Sequence, residues 1–395
     1  MTAGWQRKRI SEIAIHSLGK MLDKAKNKGE PHKYLRNLNV RWFEFNLADL
    51  LEMRFLPDEE ARYTVSKGDV VVCEGGYPGR AAIWERDEPI HFQKALHRVR
   101  FAEPERAIWF LYYLHMKDLD GSLRSHFNGA GIQHFTGEAL AQFEIPLPPL
   151  EEQRRIVAIL DEAFAGIAIA KAAAEKSLEN AGDLFDREVA TLFEALTTNH
   201  PMRQIGELCD KVTVGYVGAM ASRYVPTGVP FLRSQNIRPF RIDLGGLTHI
   251  DQEFHAEISK SALRPGDVAV VRTGYPGTAA VIPENLPDSN CSDLVIVRPG
   301  ERLDPHFLTL FFNSDYGKRM VAGKLVGAAQ KHFNVTAAKE ALMPMLTRPE
   351  QAEVVKQCHE LRSESQRLQS IYTRKLAALD ELRQSLLQQA FSGQL

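Results

Sequence analysis

The sequence predicts an α+β fold in which one module is present twice and each copy ends in a long helix. The chain matches itself, because GYPGRAA at 76–82 recurs as GYPGTAA at 274–280, a shift of 274 − 76 = 198 residues. A long helical pattern at 148–196 lies between the two copies. Strand-like runs alternate with glycine- and proline-rich turns on both sides of it. Together these observations predict two α+β domains separated by two long helices, with an internal two-fold repeat.

The repeat extends well beyond the GYPG segments. The other matching segments, each shifted by 197 or 198 residues, are YLRNLNVR at 34–41 and FLRSQNIR at 231–238, KGDVVV at 67–72 and PGDVAV at 265–270, GAGIQHF at 129–135 and GAAQKHF at 327–333, and the Glu-Gln pairs at 152–153 and 350–351. Because the shift is nearly constant, duplication explains the matches better than chance.

In each copy, strand-like runs precede a helix. The strand-like runs lie at 69–73, 81–84 and 95–101 in the first copy and at 267–272, 279–282 and 293–297 in the second. The helices are predicted near 107–117 and 305–313. Both globular parts are therefore predicted to be α+β.

The first long helix begins after a proline run. Prolines at 146, 148 and 149 keep the backbone extended, and Glu151 and Glu152 place negative charge in the first helical turn. Apolar or small residues recur at steps of three and four along one face, at Ile156, Leu160, Ala163, Ile167, Ala170, Ala174, Ala181 and Leu184. This is the seam of a coiled-coil-like helix, and it requires a partner helix.

The pattern at 349–390 supplies that partner. Its apolar face is formed by Val354, Leu361, Leu368, Leu379, Leu382 and Leu386. The order domain, helix, domain, helix allows the two helices to lie antiparallel, and at about 1.5 Å per residue the first would span roughly 65 Å. The predicted boundaries are 1–147 for the first domain, 148–198 for the first helix, 199–346 for the second domain and 347–395 for the second helix.

Composition restricts the class of protein. A chain of 395 residues with 44% hydrophobic and 25% charged residues has ample material for two cores. No run of eighteen apolar residues is present, so we expect a cytoplasmic protein that does not associate with a membrane. The four cysteines lie far apart without CxxC spacing, which predicts free thiols and no zinc site. The net charge of −1 means that any surface for a polyanion is local, and basic residues do cluster between 7 and 41. An ordinary solvated face would give the same cluster.

Catalytic motifs are missing from the sequence. There is no GxxxxGK[ST], no HExxH, and neither a glycine loop for S-adenosylmethionine nor an NPPY-like segment. Isolated histidines such as His97, His249 and His306 are expected to have packing or surface roles. We therefore expect that this chain has no catalytic centre of its own and that its function is recognition.

The sequence resembles the specificity subunits of type I restriction–modification systems over essentially the whole chain. The resemblance rests on IPLPPLEEQRRIVAILDEAF at 145–164, its echo RPEQAEVVKQC at 348–358 and the ending LRQSLLQQAFSGQL at 382–395. The second copy departs from the family pattern at 343–351, where it reads MPMLTRPEQ in place of PLPPLEEQ.

The resemblance implies two DNA target recognition domains that alternate with two long helices. Each domain would bind one half of a split site in double-stranded DNA, and the helix pair would set the distance between the halves. Two methyltransferase subunits would dock on the helices, and restriction/translocase subunits would join through the complex. It further implies that this chain binds no cofactor, and that S-adenosylmethionine, ATP and Mg belong to the partner subunits.

Three pairs of repeated segments supply the candidate DNA contacts. The candidates are Arg36, Asn39, Arg41, Tyr77, Arg80, Gln133 and His134 in the first copy, and Arg233, Gln235, Asn236, Arg238, Arg272, Thr273, Tyr275, Gln330, Lys331 and His332 in the second. GYPG is also explained as a plain turn, and the arginines and asparagines shared by both copies suit scaffold hydrogen bonds as well as phosphate contacts. Gln235 differs from its counterpart Leu38 and can pair with an adenine edge, so it is the best candidate for base reading.

Two other functions remain open at this point. One is a coiled-coil scaffold whose two domains bind proteins. The other is a fused nuclease or methylase, which the missing motifs disfavour.

Overall fold

The computed structural model describes residues 5–23, 27–322 and 333–395. Its strands, in chain order, are β1 (Gln6–Arg9), β2 (Ala14–Leu18), β3 (Glu30–Leu35), β4 (Leu51–Phe55), β5 (Thr64–Val65), β6 (Val70–Cys73), β7 (Ala81–Ile83), β8 (Ile90–Phe92), β9 (Leu96–Phe101), β10 (Glu144–Leu147), β11 (Met202–Gln204), β12 (Cys209–Val214), β13 (Tyr224–Val225), β14 (Val229–Leu232), β15 (Ile237–Arg238), β16 (Arg241–Ile242), β17 (Thr248–Ile250), β18 (Ala262–Leu263), β19 (Val268–Val271), β20 (Ala279–Val281), β21 (Ser289–Cys291), β22 (Leu294–Pro299) and β23 (Leu342–Pro344).

Helices alternate with these strands. They are α1 (Ile10–Ile13), α2 (Glu60–Tyr63), α3 (Arg106–Leu119), α4 (Gly137–Gln142), α5 (Leu150–Asn199), α6 (Ile205–Leu208), α7 (Gln252–Glu257), α8 (Pro305–Asn313), α9 (Asp315–Ala322), α10 (Val335–Glu340) and α11 (Arg348–Ser392). The mixture confirms the α+β class, and α5 and α11 are the two long helices that the sequence predicts. Within the part of the chain that the structure describes, none of the helices combines the length and the apolar composition that crossing a membrane needs.

The chain divides into two compact units. Unit 1 contains Met1–Glu175 and Arg374–Leu395, and unit 2 contains Lys176–Thr373. Each unit therefore holds one globular part together with a segment of α5 and a segment of α11.

Unit 1 contains two four-stranded sheets. In one sheet the order is β2-β9-β6-β7 and all neighbours are antiparallel. In the other the order is β4-β3-β8-β5, and β3 and β8 are parallel. Strand β6 is buried on both faces: Val70 and Val72 pack with helix α3, whereas Val71 and Cys73 pack with Leu35. Since successive strand side chains point to opposite faces, an unbroken apolar run marks a strand covered on both sides.

Unit 2 repeats this arrangement. Its antiparallel sheet has the order β12-β22-β19-β20, and its second sheet, β13-β17-β14-β21-β18, contains the matching parallel pair β14 and β21. An ion pair between an arginine and a buried aspartate is repeated as well. Arg100 donates two hydrogen bonds of 2.6 and 2.7 Å to Asp69, and Arg298 donates two of 2.7 Å to Asp267. The duplicated module that the sequence predicts is therefore present in the fold.

The two long helices pack against each other in unit 1. Lys171 of α5 forms a 2.6 Å ion pair with Asp380 of α11, and Arg155 donates a hydrogen bond to the carbonyl oxygen of Leu395. Residue numbers rise along one helix as they fall along the other, so the pair is antiparallel, as predicted. Ile156 and Leu160 of the predicted seam are fully buried. Leu382 was expected on the apolar face of α11 but is 47% exposed, because its side chain lies outside the buried cluster formed by its neighbours.

The helices also pack antiparallel in unit 2. There Ser365 of α11 donates a 2.6 Å hydrogen bond to the carbonyl oxygen of Ala181 in α5. Phe185, Val189 and Phe193 of α5 share one buried cluster with Val354 and Cys358 of α11. Each helix starts in the same way: Gln153 donates to the carbonyl oxygen of the residue five positions earlier at 2.8 Å, and Gln351 does so at 2.9 Å.

Candidate nucleic-acid interface

In unit 1, the three repeated segments with candidate contacts lie together. The Asn37 amide donates to the carbonyl oxygen of Gly75 at 3.2 Å, and Arg80 donates to the carbonyl oxygen of Asn37 at 3.0 Å. The third segment joins through Phe135, whose backbone N–H donates to the carbonyl oxygen of Glu74 at 2.8 Å. We name the residues 36–41, 74–80 and 128–135 loop cluster 1.

Unit 2 brings the corresponding segments together with different side chains. Ser234 donates to the carbonyl oxygen of Asp293 at 3.0 Å, and Thr273 donates to the Asp293 carboxylate at 3.0 Å. The backbone N–H of Phe333 donates to the carbonyl oxygen of Arg272 at 3.1 Å. We name residues 233–238, 272–278 and 293 loop cluster 2. Gln330, Lys331 and His332 lie outside the described residues.

Both GYPG segments form tight turns. In the first, the Gly79 N–H donates to the carbonyl oxygen of Cys73, and the Arg80 N–H donates to the carbonyl oxygen of Tyr77. Gly277 and Thr278 make the same two bonds in the second copy. Gly76 has a φ of +79°, and a Cβ there would lie only 2.1 Å from the Asn37 amide nitrogen. Glycine is therefore required for this turn to approach Asn37.

Asn39 and Asn236 are scaffold residues. Both are almost completely buried. Asn39 accepts the Arg36 N–H at 2.9 Å and donates to the Asn46 carbonyl oxygen at 2.9 Å. Asn236 repeats this, with distances of 3.0 Å to Arg233 and 3.0 Å to Asp243. Their amide groups are committed to the loop backbone, so the geometry supports the scaffold role that the sequence left open rather than DNA contact.

Several candidate arginines have partners inside their own loops. Arg36 donates to the Asp49 carboxylate at 2.6 Å, and Arg41 donates to the Leu38 carbonyl oxygen at 2.7 Å. In unit 2, Arg238 lies 3.6 Å from Asp243, and the Arg233 guanidinium lies 5.6 Å from the ring centre of Tyr224. A phosphate would have to compete with these partners for the charge.

Tyr77 and Arg80 form a small network at the tip of loop cluster 1. The Tyr77 hydroxyl donates to Asp118 at 3.2 Å, and the Arg80 guanidinium lies 5.0 Å from the Tyr77 ring centre. Burial and the neighbouring Asp118 carboxylate raise the pKa of Tyr77, so its hydroxyl stays protonated. Burial likewise raises the pKa of Asp118. The network fixes the direction of an exposed aromatic ring and a cation.

The most accessible candidates are at the loop tips. Tyr275 is 82% exposed, and Gln133 and Gln235 are also exposed. His134 is half-buried against Gly75, and Arg272 and Thr273 are half-buried. Apolar side chains are exposed beside them in unit 1, with Leu38 at 58% and Ile132 at 76%. Loop cluster 1 therefore presents polar and apolar groups together, and loop cluster 2 exposes an amide and an aromatic ring; such groups suit a base-reading surface.

Two sets of residues that the sequence analysis did not identify join the loops to the long helices. Phe43 follows the repeated segment 34–41, and its ring centre lies 5.5 Å from the Arg383 guanidinium. The same guanidinium lies 5.1 Å from the Phe164 ring centre. We name Phe43, Phe164 and Arg383 clamp 1. In unit 2 the Arg362 guanidinium lies 4.4 Å from the Phe240 ring centre, which is 5.6 Å from that of Phe185. We name Phe240, Phe185 and Arg362 clamp 2.

The clamps are related by the repeat, but their side chains are exchanged. The repeat relates position 164 to position 362 (164 + 198 = 362), which are Phe164 in α5 and Arg362 in α11. It relates position 185 to position 383 (185 + 198 = 383), which are Phe185 in α5 and Arg383 in α11. Phe43 and Phe240 share an unusual positive φ of 67° and 66°. The signal that could have identified them is the phenylalanine retained after both recognition segments.

The structure therefore has a duplicated α+β domain with one loop cluster per copy, together with a pair of long helices. Residues 3–180 match the family model described as the type I restriction modification DNA specificity domain. Over these residues, fewer than half of the 395, the chain is similar to this family, which bears out the resemblance in the sequence and favours a DNA-specificity role. A protein-binding scaffold is not favoured.

Individual relatives agree with the family match. The chain is 21% identical over 362 residues to the type I restriction enzyme EcoBI specificity subunit of Escherichia coli, covering 84% of this chain and 75% of that one. It is 22% identical over 285 residues to the EcoKI specificity subunit of Escherichia coli strain K12, covering 68% of this chain and 61% of the relative.

Solved structures share the fold. The HsdS subunit from Thermoanaerobacter tengcongensis is 20% identical with a TM-score of 0.63, over 100% of this chain and 98% of that one. A chain from work on complex assembly and conformational transition of the type I R-M system is 19% identical with a TM-score of 0.77, over 100% and 99%.

Proposed function

We propose that this chain reads a bipartite DNA target, with loop cluster 1 binding one half and loop cluster 2 the other, for a type I restriction–modification complex. The observation that carries the proposal is that the first two repeated segments converge in each unit, and that the backbone N–H groups of Phe135 and Phe333 bond to equivalent positions of the second segment. Two domains that read different half-sites should share their scaffold and differ in their contact residues.

The loop clusters fit this expectation. Their scaffold residues Asn39 and Asn236 make equivalent hydrogen bonds. Their side chains differ at matched positions, with exposed Leu38 replaced by exposed Gln235 and half-buried Arg80 by half-buried Thr278. We therefore assign base and backbone contacts to Tyr77, Arg80, Gln133 and His134 in unit 1 and to Gln235, Arg238, Arg272 and Tyr275 in unit 2. In this proposal Arg36, Arg41 and Arg233 contact phosphate only when they exchange their present partners.

The long helices provide a surface for partner subunits. Apolar side chains project from them into solvent in unit 1, where Ile169 is 74% exposed and Leu382 is 47% exposed. Exposed apolar groups on a helix pair suit docking of another protein. We propose that two methyltransferase subunits bind the helices and that restriction subunits join through the complex, in the cytoplasm where the host DNA lies.

In this proposal the chain is not catalytic by itself. It binds no cofactor, and S-adenosylmethionine, ATP and Mg act in the partner subunits. Purified chain without partners should neither methylate nor cleave DNA that contains the target. Either activity, retained by a preparation free of partner subunits, would contradict this part of the proposal.

Genome-wide methylation mapping tests the bipartite reading. A host that carries this chain and its methyltransferase partner should show methylation at a split motif with an unspecific spacer. The matched control carries the methyltransferase alone and should lack that motif. If the methylated motif is continuous, the assignment of one half-site to each unit is wrong.

A further inference from the structure

Three side chains of unit 1 that come from separate elements have their ligand atoms within 4.8 Å of one another. They are His32 of β3, Glu60 of α2 and His91 of β8. The Glu60 carboxylate oxygen and the His91 Nε2 atom are 3.2 Å apart. In a tetrahedral site with metal–ligand distances of about 2.0–2.2 Å, two ligand atoms lie about 3.4 Å apart. This pair is therefore already at the separation that a shared metal ion needs.

Strand pairing explains why the three side chains meet. His91 lies opposite Tyr34 in the parallel pair β3 and β8, so His32 is two residues along the same strand face. On its other side His91 lies opposite Thr64, four residues after Glu60. The rings of His32 and His91 have their centres 4.6 Å apart. The cluster thus straddles the middle of the second sheet of unit 1.

The surroundings suit a metal ligand set. Thr64 donates a 3.1 Å hydrogen bond to the second Glu60 carboxylate oxygen, which orients the first toward His91. The His91 side chain is 9% exposed and that of Glu60 is 48% exposed. A cavity of about 640 Å³ adjoins all three residues, so solvent can reach the cluster. Nearby Lys20 is paired with Glu59, which offsets its charge.

We propose that His32, Glu60 and His91 bind a divalent transition-metal ion, with Zn²⁺ as the best match. Two imidazoles and a carboxylate are the donors that Zn²⁺ accepts, and three protein ligands leave the fourth position open to solvent in the cavity. The bound ion ties the short helix α2 to strands β3 and β8. It therefore stabilises the sheet that leads into loop cluster 1.

The sequence analysis did not identify this site, because its three ligands are far apart in the chain. The ligands are separated by 60 − 32 = 28 and 91 − 60 = 31 residues, which matches no compact zinc motif. Among its described residues unit 2 has no equivalent set, because strand pairing places Phe231 and Asn290 where unit 1 has Tyr34 and His91, and Val229 then takes the place of His32. One ion per chain, held by unit 1 alone, is the expected stoichiometry.

The test uses the full-length chain and Zn²⁺ as the ligand, in competition with a chromophoric chelator. The wild-type chain should bind one Zn²⁺, and Glu60→Gln and His32→Ala should each weaken binding at least about tenfold, since loss of an outer-shell partner alone costs 10–100-fold. Glu88 lines the same cavity without belonging to the ligand set. Glu88→Gln removes the same charge as Glu60→Gln and should bind Zn²⁺ like the wild type.

Two further measurements separate a metal site from a simple His91–Glu60 ion pair. Zn²⁺ should raise the midpoint of thermal unfolding of the wild-type chain and of Glu88→Gln, but not that of Glu60→Gln. Co²⁺ should give visible absorption bands with the wild-type chain that are lost in His32→Ala. If Glu60→Gln binds Zn²⁺ as tightly as the wild type, or the wild type binds less than one ion, the proposal is wrong.

Discussion

Neighbouring residues in loop cluster 2 have opposite roles. Gln235 is exposed, whereas Asn236 is buried and its amide is bonded to the loop backbone. A glutamine amide can make two hydrogen bonds to adenine, and a good bidentate contact contributes about 1–3 kcal/mol of base discrimination. Replacing Gln235 should therefore change what the loop reads, whereas replacing Asn236 should change whether the loop holds its shape.

We expect Gln235→Ala to relax base preference at one position of one half-site by about 1–3 kcal/mol. The measurement is methylation by the assembled complex of substrates with single base-pair changes. Asn236→Ala is the control, and it should lower the thermal midpoint because its partners are left unpaired. Unchanged preference at every position in Gln235→Ala would remove Gln235 from the base-reading set.

A buried histidine predicts acid sensitivity of unit 1. His115 packs against Trp42 and Phe43, and burial with the nearby Arg383 lowers its pKa to about 3. The unfolded chain would protonate this histidine near pH 6.5. Between these values the unfolded state binds a proton that the folded state excludes, so stability falls as the pH is lowered from about 6.5 toward 3.

The second copy suggests the matching variant, because position 115 + 198 = 313 is Asn313. We expect His115→Asn to have a shallower loss of thermal midpoint than the wild type between pH 7 and 5. His97, whose pKa burial lowers to about 4, is retained in both proteins and contributes equally. Parallel curves for the two proteins would show that His115 does not cause the acid sensitivity.

The sequence shows which residues the two copies share, whereas the role of each residue depends on tertiary contacts. Matched asparagines indicated a shared role, but only the fold shows that the role is structural. The link between segments also differs, since Asn37 bonds directly to Gly75 whereas Ser234 and Thr273 meet at Asp293. No sequence pattern around Asp293 indicates that this residue joins two distant loops.

At the scale of elements, the clamps connect the recognition loops to the long helices. In each clamp an arginine from one helix lies over the phenylalanine that follows the recognition segment. A partly desolvated contact of this kind contributes about 1–2 kcal/mol. Burial lowers the pKa of both Arg362 and Arg383, and neither clamp contains a carboxylate. Arg362 also donates a 3.3 Å hydrogen bond to the Pro239 carbonyl oxygen, and the Asp380 carboxylate acts to raise the pKa of Arg383.

Exchanging the side chains of clamp 1 tests the relationship. The double variant Phe164→Arg with Arg383→Phe gives clamp 1 the side chains that clamp 2 has at the repeat-related positions, Arg362 and Phe185. Each single change should destabilise the chain, since one places two arginines together and the other removes the cation. The double variant should recover stability, with a coupling of about 0.5–3 kcal/mol in unfolding free energy. Strictly additive effects in denaturant unfolding would show that the clamp residues do not interact.

The sequence predicted those elements whose buried residues form a clear apolar pattern. Strands β6 and β19 are unbroken apolar runs, and the long helices have repeating seams, so both kinds were predicted. Strand β3 reads EPHKYL, with charged and exposed residues at its start, and owes its structure to pairing with β4 and β8. Such strands lack the apolar alternation that a sequence reading requires.

For the whole molecule, the central question is what sets the distance between the two halves of the target. We predict that the long helices act as the spacer. Inserting four helix-forming residues after Thr198, near the end of α5, adds about 6 Å if they are helical. This is nearly two base pairs at about 3.4 Å each. The preferred spacer should lengthen accordingly while both half-sites stay unchanged.

Methylation of a substrate series with spacers stepped by one base pair measures this. The matched control inserts four glycine and serine residues at the same place, which form a flexible segment and should broaden the spacer preference instead of shifting it. If the helical insertion leaves the preferred spacer unmoved, or abolishes activity on every spacer, the helices do not set the distance. The spacing would then be set by the methyltransferase subunits, and α5 and α11 would serve only as their docking surface.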